Sequence, residues 1–502
     1  MRSHTLPRQL ACYVRSEGVG ACHTRVRGPG VRKFKFDPSA ATGFPDRPGV
    51  SLREAQPFVL DDAFRPVAAL NDWLADLPSH GCHAPSTWSA YADDLIAWTR
   101  FLRRLNLDLL DEPDALRKAV SKYRGLRLQG EGGLDVEFGL LGGDAWDRAI
   151  SAIDKFYAWA VEMRLIATVP FRYRTIKCRG GERTLEVQEN LAKAKTGSQA
   201  ATVRSLASDW ADLFVDVGLG GLLRSGASDP DFRGRSSVRN RAIGSLVRSS
   251  GLRRAEFSNL LVWEIPDPVA AADAFVGIDV PAAISKRSKS RSTWASSRAL
   301  DRVADYVGLE RELAVSTSSW APTNPLVVTE PGRRGGRVNG KRVVWANLSI
   351  PLRRRLVGPD GGSALLFVRS DGAPPQPDAW RSAFSAASAR CQRLDPRFPN
   401  VTPHMLRHTF ALETLNLLTR NSMTRARRLA MLSNADPVLM SVLRRNDPLL
   451  ILRDMLGHES IKTTEKYLKA QSVTGIFTDA ELELLEADDD RSLPVATIGA
   501  VS

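Results

Sequence analysis

Two residues that can bind an anion and move a proton stand three positions apart in the segment Thr402-Pro403-His404-Met405-Leu406-Arg407. At that spacing in a helix, the imidazole of His404 and the guanidinium of Arg407 project from the same face. A guanidinium binds oxyanions through charged hydrogen bonds, and an imidazole carries a proton near neutral pH. The pair therefore predicts a site for an anionic oxygen. The alternative interpretation is a capped helix start with a histidine on the surface.

A second pattern, Leu456-Gly457-His458, is followed by Tyr467, nine residues after the histidine. On one continuous helix, that spacing would place the two side chains on opposite faces. Gly457 is expected to end the helix before His458, so that the histidine lies in a turn and Tyr467 on the following helix. The two side chains can then converge. The alternative for Tyr467 is a ring that packs in an amphipathic core.

The segment Gly251-Leu252-Arg253-Arg254-Ala255-Glu256 predicts another helix end, because glycine is favoured just after the last helical residue. A helix over about 239–249 would stop there, and Arg253 would lie at the start of the next helix. Glu256, three residues later, would lie on the same side and orient the guanidinium. By itself this pattern is weak, because arginine-rich helices are common in the chain.

Lysine is rare in this chain: 14 of the 70 basic residues are lysines, and between Lys195 and Lys341 the only ones are Lys286 and Lys289. Both fall in the strand-like segment 283–291. Arginine can supply positive charge there, but only lysine readily gives up a proton. The use of lysine therefore hints at proton transfer, and the alternative is a basic hairpin that contacts a DNA backbone.

Helices that can hold such residues are predicted along much of the chain. Apolar and aromatic residues recur at helical spacing over 88–105 and 146–164, which indicates a small helical bundle with the aromatic residues in its core. Residues 171–203 are polar and basic and are interpreted as a linker. Helical patterns continue from about 203 to 262 and from about 377 onwards, and short strand-like stretches lie around 274–294 and 322–347.

The charge of the chain favours a polyanionic partner. The 70 lysine and arginine residues exceed the 56 acidic residues by 14, and residues 1–36 contain eight basic residues against one acidic residue. Nucleic acid is the commonest partner of a surface with such a surplus, and the alternative is a basic surface that only confers solubility. Residues 1–36 are predicted to form a flexible basic arm.

The same sequence disfavours several other classes of protein. It contains no apolar run of the roughly 18 residues that a membrane helix needs, and its N-terminus lacks a signal-peptide stretch, so a cytoplasmic protein without a membrane partner is expected. The five cysteines are scattered and form no CxxC pair, which predicts no structural disulfides. His80, Cys82 and His83 lie close together but lack a second pair at zinc-finger spacing, so no metal is expected.

In order and spacing, the four motifs resemble those of the tyrosine recombinase (phage integrase) family, over about residues 60–470. The resemblance implies a mainly α fold with a small β-sheet (α+β). It also implies five parts: a basic N-terminal arm (1–57), a helical SAM-like core-binding domain (58–170), a basic linker (171–203), the tyrosine-recombinase catalytic domain (204–475) and an acidic tail (476–502).

The resemblance also assigns roles to the candidate site residues. It implies that Tyr467 attacks a DNA phosphodiester to form a 3′-phosphotyrosyl link, while Lys286 protonates the departing 5′ oxygen. The other catalytic residues would be Arg253, His404, Arg407 and His458, with Glu256 in support. Arg254 and Lys289 would bind DNA. Neither a metal nor another cofactor is implied, because the covalent link stores the bond energy.

The implied partner is double-stranded DNA, and the implied active form is a homo-tetramer on synapsed sites. The acidic tail would pack on a neighbouring protomer, and the alternative is a solvated tail. Accessory DNA-bending or directionality factors can join the complex. The reaction would integrate or excise a mobile element in the cytoplasm, in association with the nucleoid. The alternatives are a resolvase of chromosome or plasmid dimers with the same chemistry, and a non-catalytic DNA-binding protein of the same fold.

Two insertions depart from compact members of the family. Arg407 and His458 are 51 residues apart, and the segment between them is basic. A further insertion lies near 310–355. Its basic residues are Arg333, Arg334, Arg337, Lys341, Arg342 and the triplet Arg353–Arg355. Both insertions are expected to lie outside the site.

Overall fold

The computed structural model describes residues 30–36, 53, 56–131, 138–180, 183–194, 203–269, 275–376, 379–432 and 447–470. The chain divides into two compact units, Met1–Ser198 and Gln199–Ser502. The predicted fold class is confirmed, because helices predominate in both units and the strands form only small sheets. Among the helices within these ranges, none is long and apolar enough to cross a membrane.

Within the described ranges, the first unit contains four α-helices and two pairs of strands. In chain order they are β1 (Val31–Lys35), β2 (Pro57–Asp61), α1 (Ala68–Asp76), α2 (Pro85–Arg104), α3 (Pro113–Arg124), α4 (Gly143–Glu162), β3 (Tyr173–Gly180) and β4 (Arg183–Asn190). The helices predicted over 88–105 and 146–164 correspond to α2 and α4. Their aromatic residues form the core as predicted: Trp98 and Tyr157 are buried, and the indole N–H donates to the phenol oxygen at 3.0 Å.

Within the described ranges, three segments of this unit form strands where the sequence predicted none: β1, β2 and the hairpin β3–β4. Part of the predicted arm 1–57 forms β1, which pairs antiparallel with β2 and buries Val31 and Phe34. The predicted linker 171–203 contains the antiparallel hairpin β3–β4, with eight residue pairs in register. Charged residues are about as frequent as apolar ones in these strands, so no clear alternation marks them in the sequence.

In the part of the second unit that the structure describes, helices combine with two small sheets. In chain order its elements are α5 (Ser208–Asp212), α6 (Ser237–Ser250), α7 (Arg254–Phe257), β5 (Phe275–Val280), β6 (Arg291–Ser296), α8 (Ser297–Tyr306), α9 (Glu312–Ser316), β7 (Leu326–Pro331), β8 (Gly335–Val338), β9 (Lys341–Val344), α10 (Ile350–Arg353), β10 (Leu356–Val357), α11 (Ala379–Leu394), α12 (Pro403–Leu432), α13 (Pro448–Leu456) and α14 (Ile461–Ala470). One core joins α6, α8, α11 and α12 to the antiparallel hairpin β5–β6.

Lys286 lies in the connection between β5 and β6, and not in a strand as the sequence predicted. Residues Ala282–Ile284 and Lys286–Ser288 form short 3-10 turns, and the second strand begins only at Arg291. The backbone of Ser288 has a φ of 51°, a left-handed conformation that a regular strand does not contain. The two lysines of this segment are therefore presented from a loop.

The basic insertion near 310–355 includes a small sheet with its own core. Strands β10, β7, β8 and β9 lie side by side in that order, and the core beside them includes Val328 and Trp345. Arg353 is fully buried, although the sequence shows it as one of three successive arginines. Its guanidinium donates to both oxygens of Glu264 at 2.6 and 2.9 Å. This ion pair ties the sheet to the segment that follows α7.

Two glycines end helices as predicted. Gly251 follows α6 with a φ of 62°, and Gly457 follows α13 with a φ of 63°, a conformation that glycine adopts at little cost. A Cβ atom at position 251 would overlap the ring of Phe410, so glycine also permits the close approach of α12. These two chain reversals place Arg253 beside the end of α13, where its guanidinium forms hydrogen bonds.

Candidate active site

Three arginine side chains from different segments converge on the carboxyl end of α13. Arg253 donates to the carbonyl oxygens of Leu456 and Gly457 at 2.9 and 3.3 Å. Arg407 donates to the same Leu456 oxygen at 2.5 Å, and Arg291 donates to the preceding carbonyl at 2.8 Å. The last carbonyls of a helix have no partner within the helix and form the negative end of its dipole. The end of α13 therefore attracts and positions guanidinium groups.

Glu256 is the carboxylate that holds two of these arginines. It is fully buried, and its two oxygens accept hydrogen bonds from Arg291 at 3.0 and 2.9 Å. One oxygen also accepts from the Arg253 guanidinium at 3.0 Å, and the other from the Arg253 backbone N–H at 2.7 Å. Burial opposes ionisation, but these cations and the N–H outweigh it and lower the pKa of Glu256 below its ordinary value. Glu256 therefore orients both arginines as a carboxylate.

Arg407 is the most deeply buried of the three arginines. Only 2% of its surface is exposed, and it donates to the carbonyl oxygen of Gly251 as well as to the end of α13. Burial lowers the pKa of Arg407 to about 9, and the neighbouring Arg253 and Arg291 add to this shift. A guanidinium with that pKa is still charged at neutral pH. Glu256 is the only anion among the hydrogen-bond partners that the structure describes for these arginines, so positive charge remains for an anionic ligand.

The hydroxyl of Tyr467 forms a hydrogen bond with His408. The tyrosine is 1% exposed, and its oxygen lies 2.7 Å from Nδ1 of His408. Burial raises the pKa of Tyr467 to about 12, although Arg407 and Arg253 act in the opposite direction. Burial, the neighbouring His404 and nearby cations lower the pKa of His408 to about 3. The imidazole is therefore neutral at neutral pH, and its Nδ1 can accept a hydrogen bond from the phenolic O–H.

The two predicted histidines of the site contact this pair. His404 is exposed, and its ring meets that of His408 edge-on with centroids 4.3 Å apart. The ring of His458 is parallel to that of Tyr467, with the ring centroids 6.4 Å apart. Its Nδ1 lies 3.0 Å from the Thr464 hydroxyl oxygen. Partial desolvation of the rings and surrounding cations lower the pKa of both histidines, to about 3 for His458. Within the described ranges, no group of three or more His, Cys, Asp or Glu side chains could hold a metal ion.

The predicted basic residues Lys286, Lys289 and Arg254 are all exposed. Lys286 is close enough to His404 to contribute to the lowered pKa of that ring. Lys289 lies farther along the same connection and forms an ion pair of 3.2 Å with Glu459, in the turn after α13. The structure therefore brings Lys286 to the histidine side of the site, whereas Lys289 contacts a surface carboxylate.

Two residues at the centre of the site are not identified by the sequence patterns. Arg291 ends the segment 283–291, and only the fold shows that its side chain is buried against Glu256. His408 stands four residues after His404, a spacing that places both histidines on one face of α12. That spacing is a signal by which the sequence could have indicated His408, whereas no local pattern indicates Arg291.

A helical first unit, followed by a unit that gathers arginines, histidines and a tyrosine, is the arrangement that the sequence motifs implied. Residues 70–163, which include nearly all of α1–α4, match the family "Phage integrase, N-terminal SAM-like domain". The tyrosine recombinase XerC of Nitrobacter winogradskyi is 25% identical over 255 residues, which are 51% of this chain and 51% of that protein. The chain thus spans about half the length of this curated relative. The predicted likeness to tyrosine recombinases of the phage integrase family is confirmed.

Two solved structures show a more distant likeness. The XerH site-specific recombinase in its post-cleavage complex with a palindromic difH substrate is 14% identical, with a TM-score of 0.44 and 84% of each chain covered. The Tn1549 transposon integrase in complex with circular intermediate DNA is 11% identical, with a TM-score of 0.43 and with 84% of this chain and 99% of that chain covered. Likenesses at this level assign no residue role and no activity to this chain.

Glu256→Gln is expected to destabilise the second unit by about 3–5 kcal/mol, because it leaves the buried Arg291 without its counter-ion. Denaturant unfolding, followed by tryptophan fluorescence, measures the loss. The control Asp371→Asn removes the exposed partner of Arg369, 2.7 Å away, and should cost less than about 1 kcal/mol. Equal stability of the two variants would contradict the role of Glu256.

The pH dependence of stability tests the same ion pairs. Because the pKa of Glu256 is lowered in the folded protein, its contribution is present above the ordinary carboxyl pKa and is lost as the pH falls through the folded value. The unsubstituted protein should therefore lose more stability in acid than Glu256→Gln does. Parallel acid profiles of the two proteins would show that folding does not lower the pKa of Glu256.

Proposed function

We propose that this chain cuts and rejoins DNA as a site-specific recombinase, through a covalent 3′-phosphotyrosyl link to Tyr467. The proposal rests on one arrangement. Arginines from three separate segments converge on the end of α13, and in the same unit a buried tyrosine hydroxyl is hydrogen-bonded to a histidine. Such an array suits phosphodiester transfer, because the transition state carries negative charge on the non-bridging oxygens. The match to the tyrosine recombinase XerC supports this chemistry.

In this mechanism Arg253 and Arg407 neutralise the non-bridging oxygens of the scissile phosphate, and His458 donates a further hydrogen bond. The side chain of Arg253 is 24% exposed, so it is the guanidinium that an incoming strand meets first. Arg407 is held by two carbonyl oxygens, which fix its orientation before DNA arrives. A bound phosphate would also offset the crowding of positive charge that lowers the pKa of Arg407.

Tyr467 attacks the phosphorus atom and releases a 5′-hydroxyl. Its hydroxyl is hydrogen-bonded to His408 and shielded from solvent, so in this proposal α14 shifts before an in-line attack. His408 accepts the phenolic proton in this proposal, and the exposed His404 beside it assists the movement of that proton. An arriving phosphate raises the pKa of His408, because it offsets cations that lower it.

Lys286 protonates the 5′ oxygen as it leaves, from the loop that joins β5 to β6. Rejoining reverses these steps: a 5′-hydroxyl from a partner duplex attacks the phosphotyrosyl bond, and Tyr467 departs. The phosphotyrosyl bond retains the energy of the original phosphodiester, so the rejoining step consumes no nucleotide. Lys289 and Arg254, both exposed, contact the DNA backbone in this proposal.

The biological role that we propose is the integration or excision of a mobile element. The substrate is double-stranded DNA, bound by the core-binding domain 58–170 and the catalytic domain 204–475 of a homo-tetramer on two synapsed sites. Accessory DNA-bending or directionality factors, and a location in the cytoplasm at the nucleoid, belong to the same proposal. Resolution of chromosome or plasmid dimers is the alternative with the same chemistry. The acidic tail 476–502, proposed to contact a neighbouring protomer, lies outside the described residues.

Tyr467→Phe should abolish the covalent protein–DNA complex, because the phenyl ring has no hydroxyl to attack phosphorus. A duplex nicked near the cleavage point traps this complex, and denaturing electrophoresis detects it. Binding of the same duplex should persist in the variant. The neighbouring Leu468→Ala, at an exposed side chain, is the control and should retain the complex. A trapped complex that persists in Tyr467→Phe would exclude this residue as the nucleophile.

Lys286→Ala should cleave normal DNA very slowly, because the 5′ alkoxide leaves without a proton. A substrate with sulfur in place of that bridging oxygen has a leaving group of much lower pKa, so cleavage by the variant should recover. Lys289→Ala is the matched control: it should weaken binding modestly and increasingly with salt, as expected when one phosphate is no longer neutralised. If the sulfur-substituted substrate restores cleavage by Lys289→Ala and not by Lys286→Ala, Lys289 is the general acid. If it restores cleavage by neither variant, the general acid is another residue.

A further inference from the structure

A cluster of basic side chains lies on the small sheet of the insertion, outside the candidate active site. Five exposed basic residues fall within residues 332–342, and Glu330 is the one acidic residue in the stretch 322–347. The five are Arg333 and Arg334 in the turn between β7 and β8, Arg337 on β8, and Lys341 and Arg342 on β9. Residues 332–342 are called the basic hairpin below.

The basic hairpin stands on a well-packed base. Asn339 and Gly340 form the two-residue turn between β8 and β9, with φ values of 46° and 78° that match a tight hairpin turn. The buried Trp345 donates its indole N–H to the turn before β8 at 2.8 Å. The fully buried Arg353 donates to the carbonyl of Trp345 at 2.6 Å and pairs with Glu264. The basic side chains are therefore presented from a fixed surface.

The register of the hairpin sets like charges against one another. Arg337 on β8 is directly opposite Arg342 on β9, and like charges in such a pair destabilise a sheet. Glu330 compensates only in part, through an exposed ion pair of 3.1 Å with Arg337. Charged side chains on the outermost strand of a sheet prevent its pairing with another chain, and this accounts for the charges on β9. It does not account for Arg333 and Arg334 in a turn, or for Arg337 on an inner strand.

We propose that the basic hairpin binds the phosphate backbone of duplex DNA, at a surface separate from the cleavage centre. The choice of DNA as the polyanion rests on the proposed function. A strand rises about 3.3 Å per residue, so the basic side chains between Arg334 and the tight turn of the hairpin extend over roughly 15 Å. That length equals the rise of about four nucleotides along one DNA strand. A fixed row of guanidinium groups at this scale suits successive phosphates and adds affinity without reading bases.

Fluorescence anisotropy with the full chain and a labelled duplex of mixed sequence tests this binding over a series of salt concentrations. The combined variant Arg333→Gln, Arg334→Gln, Arg342→Gln should bind at least about tenfold more weakly near 0.15 M salt. The slope of log affinity against log salt should become shallower by about 0.9 for each phosphate that is no longer neutralised. The control Arg233→Gln, Arg369→Gln, Arg397→Gln removes the same charge from exposed arginines outside the sheet and should bind nearly as the unsubstituted protein does.

Unchanged affinity and slope in the hairpin variant would overturn the proposal, and so would an equal loss of affinity in the control. Self-association of the variant with unchanged DNA affinity would assign the charges to edge protection instead. Thermal unfolding checks the fold, and Arg333→Gln alone, in a turn, should still reduce the slope by about 0.9. Formation of the covalent complex by the unsubstituted protein tests the proposed function separately. If that complex forms and the hairpin variant binds DNA unaltered, only the role of the hairpin is refuted.

Discussion

The buried carboxylate of Glu256 is the group on which the geometry of the candidate site depends. It accepts the backbone N–H at the start of α7 and holds the guanidinium groups of Arg253 and Arg291. The carboxylate without the guanidinium groups, or those groups without the carboxylate, would be costly to bury, because an uncompensated charge in the interior costs several kcal/mol. Their pairing therefore fixes β6 against α7. It also fixes the loop that carries Lys286, since that loop runs directly into β6.

The carbonyl end of α13 completes this arrangement and leaves it unbalanced in charge. It offers oxygen acceptors to three arginines, but the helix dipole supplies only a partial negative charge. The lowered pKa values of Arg407, His408 and His458 share one origin, which is burial among cations. A phosphodiester would offset this excess of positive charge. In the proposed mechanism, binding of DNA is thereby coupled to the protonation of the groups around Tyr467.

Local sequence patterns predicted the helix ends of this site better than its side-chain pairings. Gly251 and Gly457 are local signals, because few other residues adopt the left-handed conformation at a helix end. The pairing of Arg291 with Glu256 joins segments that no local periodicity relates, and the approach of Tyr467 to α12 likewise depends on packing. The sequence does not predict the strand β1, because its two apolar residues are three positions apart and show no alternation, and the strand depends on pairing with β2. Roles for the residues came from the likeness to a family, since spacing alone left each pattern with a structural alternative.

The central claim is that these segments form one DNA-cleaving site whose nucleophile is Tyr467. Mass spectrometry of the trapped covalent complex, after digestion of both protein and DNA, measures this most directly. We expect a nucleotide joined through its 3′ phosphate to the oxygen of Tyr467. A nucleotide on any other side chain, or a linkage through a 5′ phosphate, would contradict the claim.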